Sequence, residues 1–122
     1  LSARAEADRR LALTVPEAPL RAFFLQSLDL KAEGGPRWRL NFETLTAEMP
    51  KIVGWPDPQG QFDGLTLFLT GSESGYVHAE NRPVIRALFP NAHFAKLAGA
   101  GHWLHADRPR EFEESLRVFL GA

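Results

Sequence analysis

The run "LTLFLT", Leu65–Thr70, constrains the fold more than any other stretch of this chain. It is short, apolar without the polar alternation of a half-exposed strand, and bounded by glycines at 64 and 71. That is the pattern of a strand buried on both faces in a parallel sheet. Such a strand cannot stand alone, and the residues that follow supply part of its surroundings. Ala79–Phe89 reads as a helix with Val84, Ile85, Leu88 and Phe89 on one side, "AHFAKLA" as a second strand, and Arg108–Leu120 as a last helix. Strand, helix, strand, loop and helix in this order predict a right-handed parallel crossover. Two parallel strands with one helix between them still lack neighbours on each edge and helices on both faces. The remainder of the sheet is expected to lie outside this sequence.

Upstream the chain offers helices and no sheet. Ser2–Val15 has a helix-favouring composition ended by Pro16, and Pro19–Leu28 carries Leu20, Phe23, Phe24 and Leu28 at helical spacing. Gly34-Gly35-Pro36 breaks the pattern before a short extended piece. Asn41 suits the N-cap of a third helix bearing Phe42, Leu45, Met49 and Ile52, which Pro50 is expected to kink or split. "GWPDPQGQFDG" reads as a loop.

The bulk properties exclude several classes of function. The 122 residues amount to one domain by length, and 44% hydrophobic with 24% charged residues is an ordinary globular composition. Fourteen Lys plus Arg against fifteen Asp plus Glu leave a net charge of -1, which gives no footprint for nucleic acid or an anionic membrane. No run approaches the roughly 18 apolar residues of a membrane span. The absence of cysteine excludes disulfides, thiolate catalysis and thiolate metal sites, and agrees with a reducing, cytoplasmic setting. The first residues lack both a signal-peptide core and an initiator Met, so the start is expected to be the interior of a longer chain.

The turn after the apolar strand reads Gly71-Ser72-Glu73-Ser74-Gly75. A serine hydrolase displays its nucleophile on a strand-to-helix turn of the form Gly-x-Ser-x-Gly, but here Glu73 holds the central position and the serines flank it. No other stretch has the pattern, so this sequence contains no nucleophile elbow. The second strand leads into "GAGHWLHADRP", where Gly99 and Gly101 allow a tight path that projects His102 from the carboxyl end of the sheet. Ligand and catalytic groups of open α/β sheets gather at that edge, which makes His102 the candidate catalytic base. The plain alternative is a histidine that only packs in its turn.

This loop, with "WRLNFETL", "KIVGW", "TLFLTGSESGYV" and "RALFPNAHF", resembles the α/β-hydrolases over nearly the whole chain. The likeness is close to the small esterase and thioesterase-like subfamily of abhydrolase-domain type. The resemblance implies an α/β fold of which this chain is the carboxyl-terminal part. Residues 1–60 would be a helical cap and residues 61–122 the last strands and helices of the parallel core sheet. The oxyanion loop and the nucleophile elbow would lie in an absent amino-terminal half, which thereby becomes a partner of this chain. The implied activity is serine hydrolysis of a small-molecule carboxylic ester or thioester, with no cofactor and no metal. The isolated chain is expected to be inactive and prone to self-association.

Within that frame His102 is the base, and Tyr76 and Trp103 line the substrate pocket, although aromatic residues beside a pocket also serve as core. Phe23, Phe24, Trp38 and Phe42 would roof an acyl-chain tunnel or pack the cap on the core. The triad acid departs from the common pattern, because Ser74 stands where most members carry the aspartate of Gly-x-x-Asp. Glu73 is one position off and points away in an extended turn. Glu43 matches a site where some relatives carry an aspartate, but it also reads as a helix N-terminal carboxylate favoured by the dipole. An aspartate in the absent half is the expected acid. His78, His93 and His105 have no third ligand in range, so no zinc site is expected. A non-catalytic binding protein of the same fold, a dehalogenase and a carbon–carbon hydrolase are the alternatives.

Overall fold

A computed structural model of the chain describes residues 3–122, so Leu1 and the expected helix start at Ser2 lie outside the described residues. The chain divides into two compact units, one ending at Pro56 and the other running Asp57–Ala122.

The first unit opens with α1 (Ala3–Leu11) and α2 (Ala18–Leu25). Arg21 joins them: its Nε donates to Asp8 at 2.9 Å and its Nη1 to the carbonyls of Val15 and Pro16 at 3.0 and 2.7 Å. Those carbonyls belong to the turn between the helices, so one half-buried guanidinium closes the hairpin. Along α1, Glu6 receives Arg9 and Arg10 at helical spacing, and the Arg9 bond first, then the Arg10 bond, holds its carboxyl below the ordinary glutamate value.

The second helix was expected to continue to Leu28, but it ends at Leu25, which is buried. Leu28–Asp29 instead forms β1, paired antiparallel with β2 (Arg37–Trp38). Gly34 and Gly35, at φ +86° and +109°, reverse the chain and return β2 to this backbone, where Arg39 N–H also donates to the Ser27 carbonyl at 2.8 Å. Apolar spacing at Leu28 suits either state, and the returning hydrogen bonds decide for the strand.

The third helix, α3, spans Phe42–Ile52, and the Asn41 side-chain oxygen accepts the Thr44 N–H at 3.0 Å as the expected cap. Pro50 does not split it. The proline lies in the last turn, where its missing N–H costs one bond and little helix follows to be displaced; Val53 N–H closes the end on the Met49 carbonyl. The apolar stripe of Phe42, Leu45, Met49 and Ile52 is exposed.

In the second unit β3 (Thr66–Gly71) and β4 (Ala92–Leu97) pair in parallel, with Thr66 opposite Ala92 and Gly71 opposite Leu97. Between them the expected single helix divides into a 3₁₀ turn, Ala79–Asn81, and α4 (Arg82–Leu88). Pro83 cannot donate the bond that would fuse them, and Asn81 turns its side-chain oxygen to the His78 N–H at 2.8 Å. One sheet face carries Phe68 stacked on Phe94 at 5.6 Å, with Phe89 edge-on to Phe68 and the Arg82 and Arg86 guanidiniums about 5 Å from the Phe94 centroid. The other face, at Leu67, His93 and Ala95, lines a cavity with α6 (Pro109–Leu120), which follows a further turn, α5 (Leu104–Asp107), in the segment expected to be loop.

Burial is thin. Ile85, Ala92, Leu97 and Ala100 are buried, whereas β3 is only partly covered along Thr66–Thr70, and Leu65, Val118 and Leu120 are more than 60% exposed. Among the described residues β3 pairs with β4 alone. A strand of this composition ordinarily has a second neighbour.

Candidate active site

Because β3 and β4 are parallel and end in register, both deliver their following loops to one edge of the sheet. The two loops are cross-linked by backbone. Ser72 N–H donates to the Leu97 carbonyl and Glu73 N–H to the Ala100 carbonyl, each at 2.9 Å, and Gly99 N–H donates to Ser72 Oγ at 2.9 Å. A second set of bonds comes from the junction of α5 and α6. The Asp107 carboxylate accepts the Gly101 N–H at 2.8 Å, and Arg108 Nε donates to the Ala98 carbonyl at 3.1 Å. The segment from Ala98 to Gly101 is thus held on both sides, with Ala100 fully buried in the middle.

Two glycines make this path possible for different reasons. Gly99 adopts φ +69°, the left-handed region that L side chains rarely enter. Gly71 has an ordinary φ but no room: a Cβ there would run into the carbonyl oxygens of Ala100 and Gly101. The close approach of the β3 end to the histidine loop depends on it.

His102 follows directly on Gly101, with its ring exposed. The Tyr76 ring lies against it, centroids 4.2 Å apart and planes tilted by 39°. Trp103 is half-buried at the start of α5, where its carbonyl accepts from Ala106 and Asp107 N–H. The fold therefore brings Tyr76 to His102 and leaves Trp103 as its chain neighbour.

The acid candidates are placed as follows. Ser74 completes the turn, its N–H donating to the Gly71 carbonyl at 3.1 Å and its Oγ accepting the Tyr76 N–H at 3.3 Å. Glu73 uses its backbone to hold the loop and has an exposed side chain. Within this unit no carboxylate is hydrogen-bonded to His102. Glu43 lies in the first turn of α3, in the other unit. Of the remaining histidines, His78 precedes the 3₁₀ turn, His93 is exposed in mid-β4, and His105 lies edge-on to Phe112. The described residues contain no group of three or more potential metal ligands.

Gly71, Ser72, Asp107 and Arg108 hold the loop, and the sequence did not single out Asp107 or Arg108. The one available signal was the Asp-Arg pair immediately before the helix-starting Pro109. Both side chains reach back to backbone several residues earlier, a contact that residue type alone does not announce.

No family model matches the chain. It is 40% identical over 118 residues to the sn-1-specific diacylglycerol lipase ABHD11 of Mus musculus, covering 97% of this chain and 38% of that protein. It is 37% identical over 91 residues to esterase YbfF of Escherichia coli strain K12, covering 75% of this chain and 35% of that protein. Among solved structures it is similar to a marine microorganism esterase, with a TM-score of 0.86 at 30% identity, over 97% of this chain and 46% of that one. The chain thus spans less than half the length of the relatives it matches.

Proposed function

Because the chain belongs to the α/β-hydrolase superfamily and carries the carboxyl-terminal part of that fold, we propose that it supplies the catalytic histidine and the cap of a serine esterase. The observation that carries this reading is His102 displayed at the carboxyl edge of the parallel pair on a loop held by hydrogen bonds from both sides. A base must keep its place through proton transfer, and this loop is built to keep it. The esterase and lipase names of the relatives support an ester as substrate. A carboxylic ester or thioester with an apolar acyl group suits the exposed aromatic and aliphatic side chains of residues 1–60, read as the cap region, with residues 61–122 read as part of the core sheet.

In this proposal a serine on an elbow outside this chain attacks the ester carbonyl while one nitrogen of His102 takes its proton. Backbone amides, also outside this chain, hold the oxyanion. His102 then returns the proton to the leaving alcohol or thiol, and repeats the cycle with water to release the acid. Tyr76 and Trp103 wall the pocket. The acid that orients His102 is assigned to the segment outside this chain rather than to Glu43. The unpaired edge of β3 supports that segment as the partner which completes the sheet. A cytoplasmic setting is part of the same reading, on the absence of cysteine.

One observation favours a second reading. Ser74 serves the turn at the position where a carboxylate is common, as it would in a non-catalytic binding protein. Hydrolysis of a short activated ester separates the two. The full-length protein should turn it over and the 122-residue chain alone should not, whereas a binding protein would be inactive in both forms.

A further inference from the structure

We propose that Tyr76 is a positioning residue for His102, restricting its ring by close ring-to-ring contact; this rests on His102 being the catalytic base. No carboxylate in this unit holds the His102 ring, and the ring is exposed, so packing against the sheet does not orient it. What touches one face of it is Tyr76, at 4.2 Å between centroids.

The placement of Tyr76 is set by the backbone around it. Ser74 Oγ accepts the Tyr76 N–H, and Ser74 N–H is bonded to the Gly71 carbonyl, so the tyrosine is anchored two residues beyond a folded turn. The same turn is bonded to the histidine loop through Ser72 and Glu73. Tyr76 and His102 therefore approach from two loops that cannot slide past each other without breaking those bonds. The tyrosine ring covers one side of the His102 ring, while the residue remains exposed. Tyr76 is itself 74% exposed, so its value to the fold is small and its replacement leaves the core intact.

The test uses the full-length protein with histidine ring carbons labelled. In the wild type the His102 ring protons, assigned with His102→Gln, should show a ring-current shift that Tyr76→Leu removes and Tyr76→Phe keeps. Tyr76→Leu should lower kcat about three- to tenfold with KM within twofold, the scale of one lost aromatic contact, and Tyr76→Phe should restore kcat to within twofold of wild type. No ring-current shift in the wild type overturns the proposal. So does a rise in KM with kcat unchanged, which makes Tyr76 only a pocket wall. If the shift is lost and kcat holds while His102→Ala abolishes turnover, positioning by Tyr76 fails and the base assignment stands. If His102→Ala leaves turnover intact, the base assignment itself fails and the proposal falls with it.

Discussion

Gly71→Ala should damage this protein out of proportion to one methyl group. Gly71 is buried at the end of β3, and its added Cβ would overlap two main-chain carbonyl oxygens, those of Ala100 and Gly101. Backbone oxygens cannot rotate away as a side chain can, so either the β3 turn or the histidine loop must move. Overpacking of this kind costs about 1 to 3 kcal/mol. Gly71 has no positive φ, so no strain is added on that account, and the smaller unfolded-state entropy of alanine returns about 0.4 to 1 kcal/mol. The net expectation is a loss of about 1 kcal/mol. A loop displaced by about 1 Å also misplaces the base, a shift worth on the order of 10² in rate. Gly75→Ala, in the same turn, is the control, since a Cβ there meets nothing within 4 Å. Urea unfolding and ester hydrolysis of the two full-length variants give both readouts. If Gly71→Ala is as stable and active as Gly75→Ala, the close approach of strand end and loop is not what holds His102.

Three further outcomes follow from the same geometry. Asp107→Ala, which removes the acceptor of the Gly101 N–H, should lower kcat by about tenfold, and Asp107→Asn, which keeps an acceptor oxygen, should recover most of it; equal losses would show that the bond does not steady the loop. Glu43→Gln should keep kcat within about tenfold, whereas removal of the true acid should cost roughly 10⁴; loss of turnover with folding intact would make Glu43 the triad acid. The pure 122-residue chain, with an unpaired β3 edge, should self-associate in sedimentation, and a stable monomer would count against the incomplete-sheet reading.

Much of this was legible because local chemistry and global fold agree in the second unit. The apolar run before Gly71 read as a parallel strand, and Gly-x-Gly-His after β4 read as a tight turn that displays the histidine. Asn41 announced its helix by type and spacing. Legibility failed where a distant partner chose between two local options. Leu28 fits a helix until Gly34 and Gly35 bring β2 back beside it. Leu104–Asp107 reads as loop until the bonds from Asp107 and Arg108 to the preceding segment wind it into a turn. The ring contact of Tyr76 with His102 depends on two strands ending in register, which no single stretch of sequence states.

The central claim is that His102 moves the proton. Its most direct test is kcat for a short activated ester in the full-length protein carrying His102→Ala, with the unfolding midpoint measured alongside. The proposed mechanism predicts a loss on the order of 10³ to 10⁶ with stability nearly unchanged, because the ring is exposed and removal of a triad base is not compensated by the remaining site. A loss of less than tenfold in a folded protein would contradict it and leave His102 a residue of the turn.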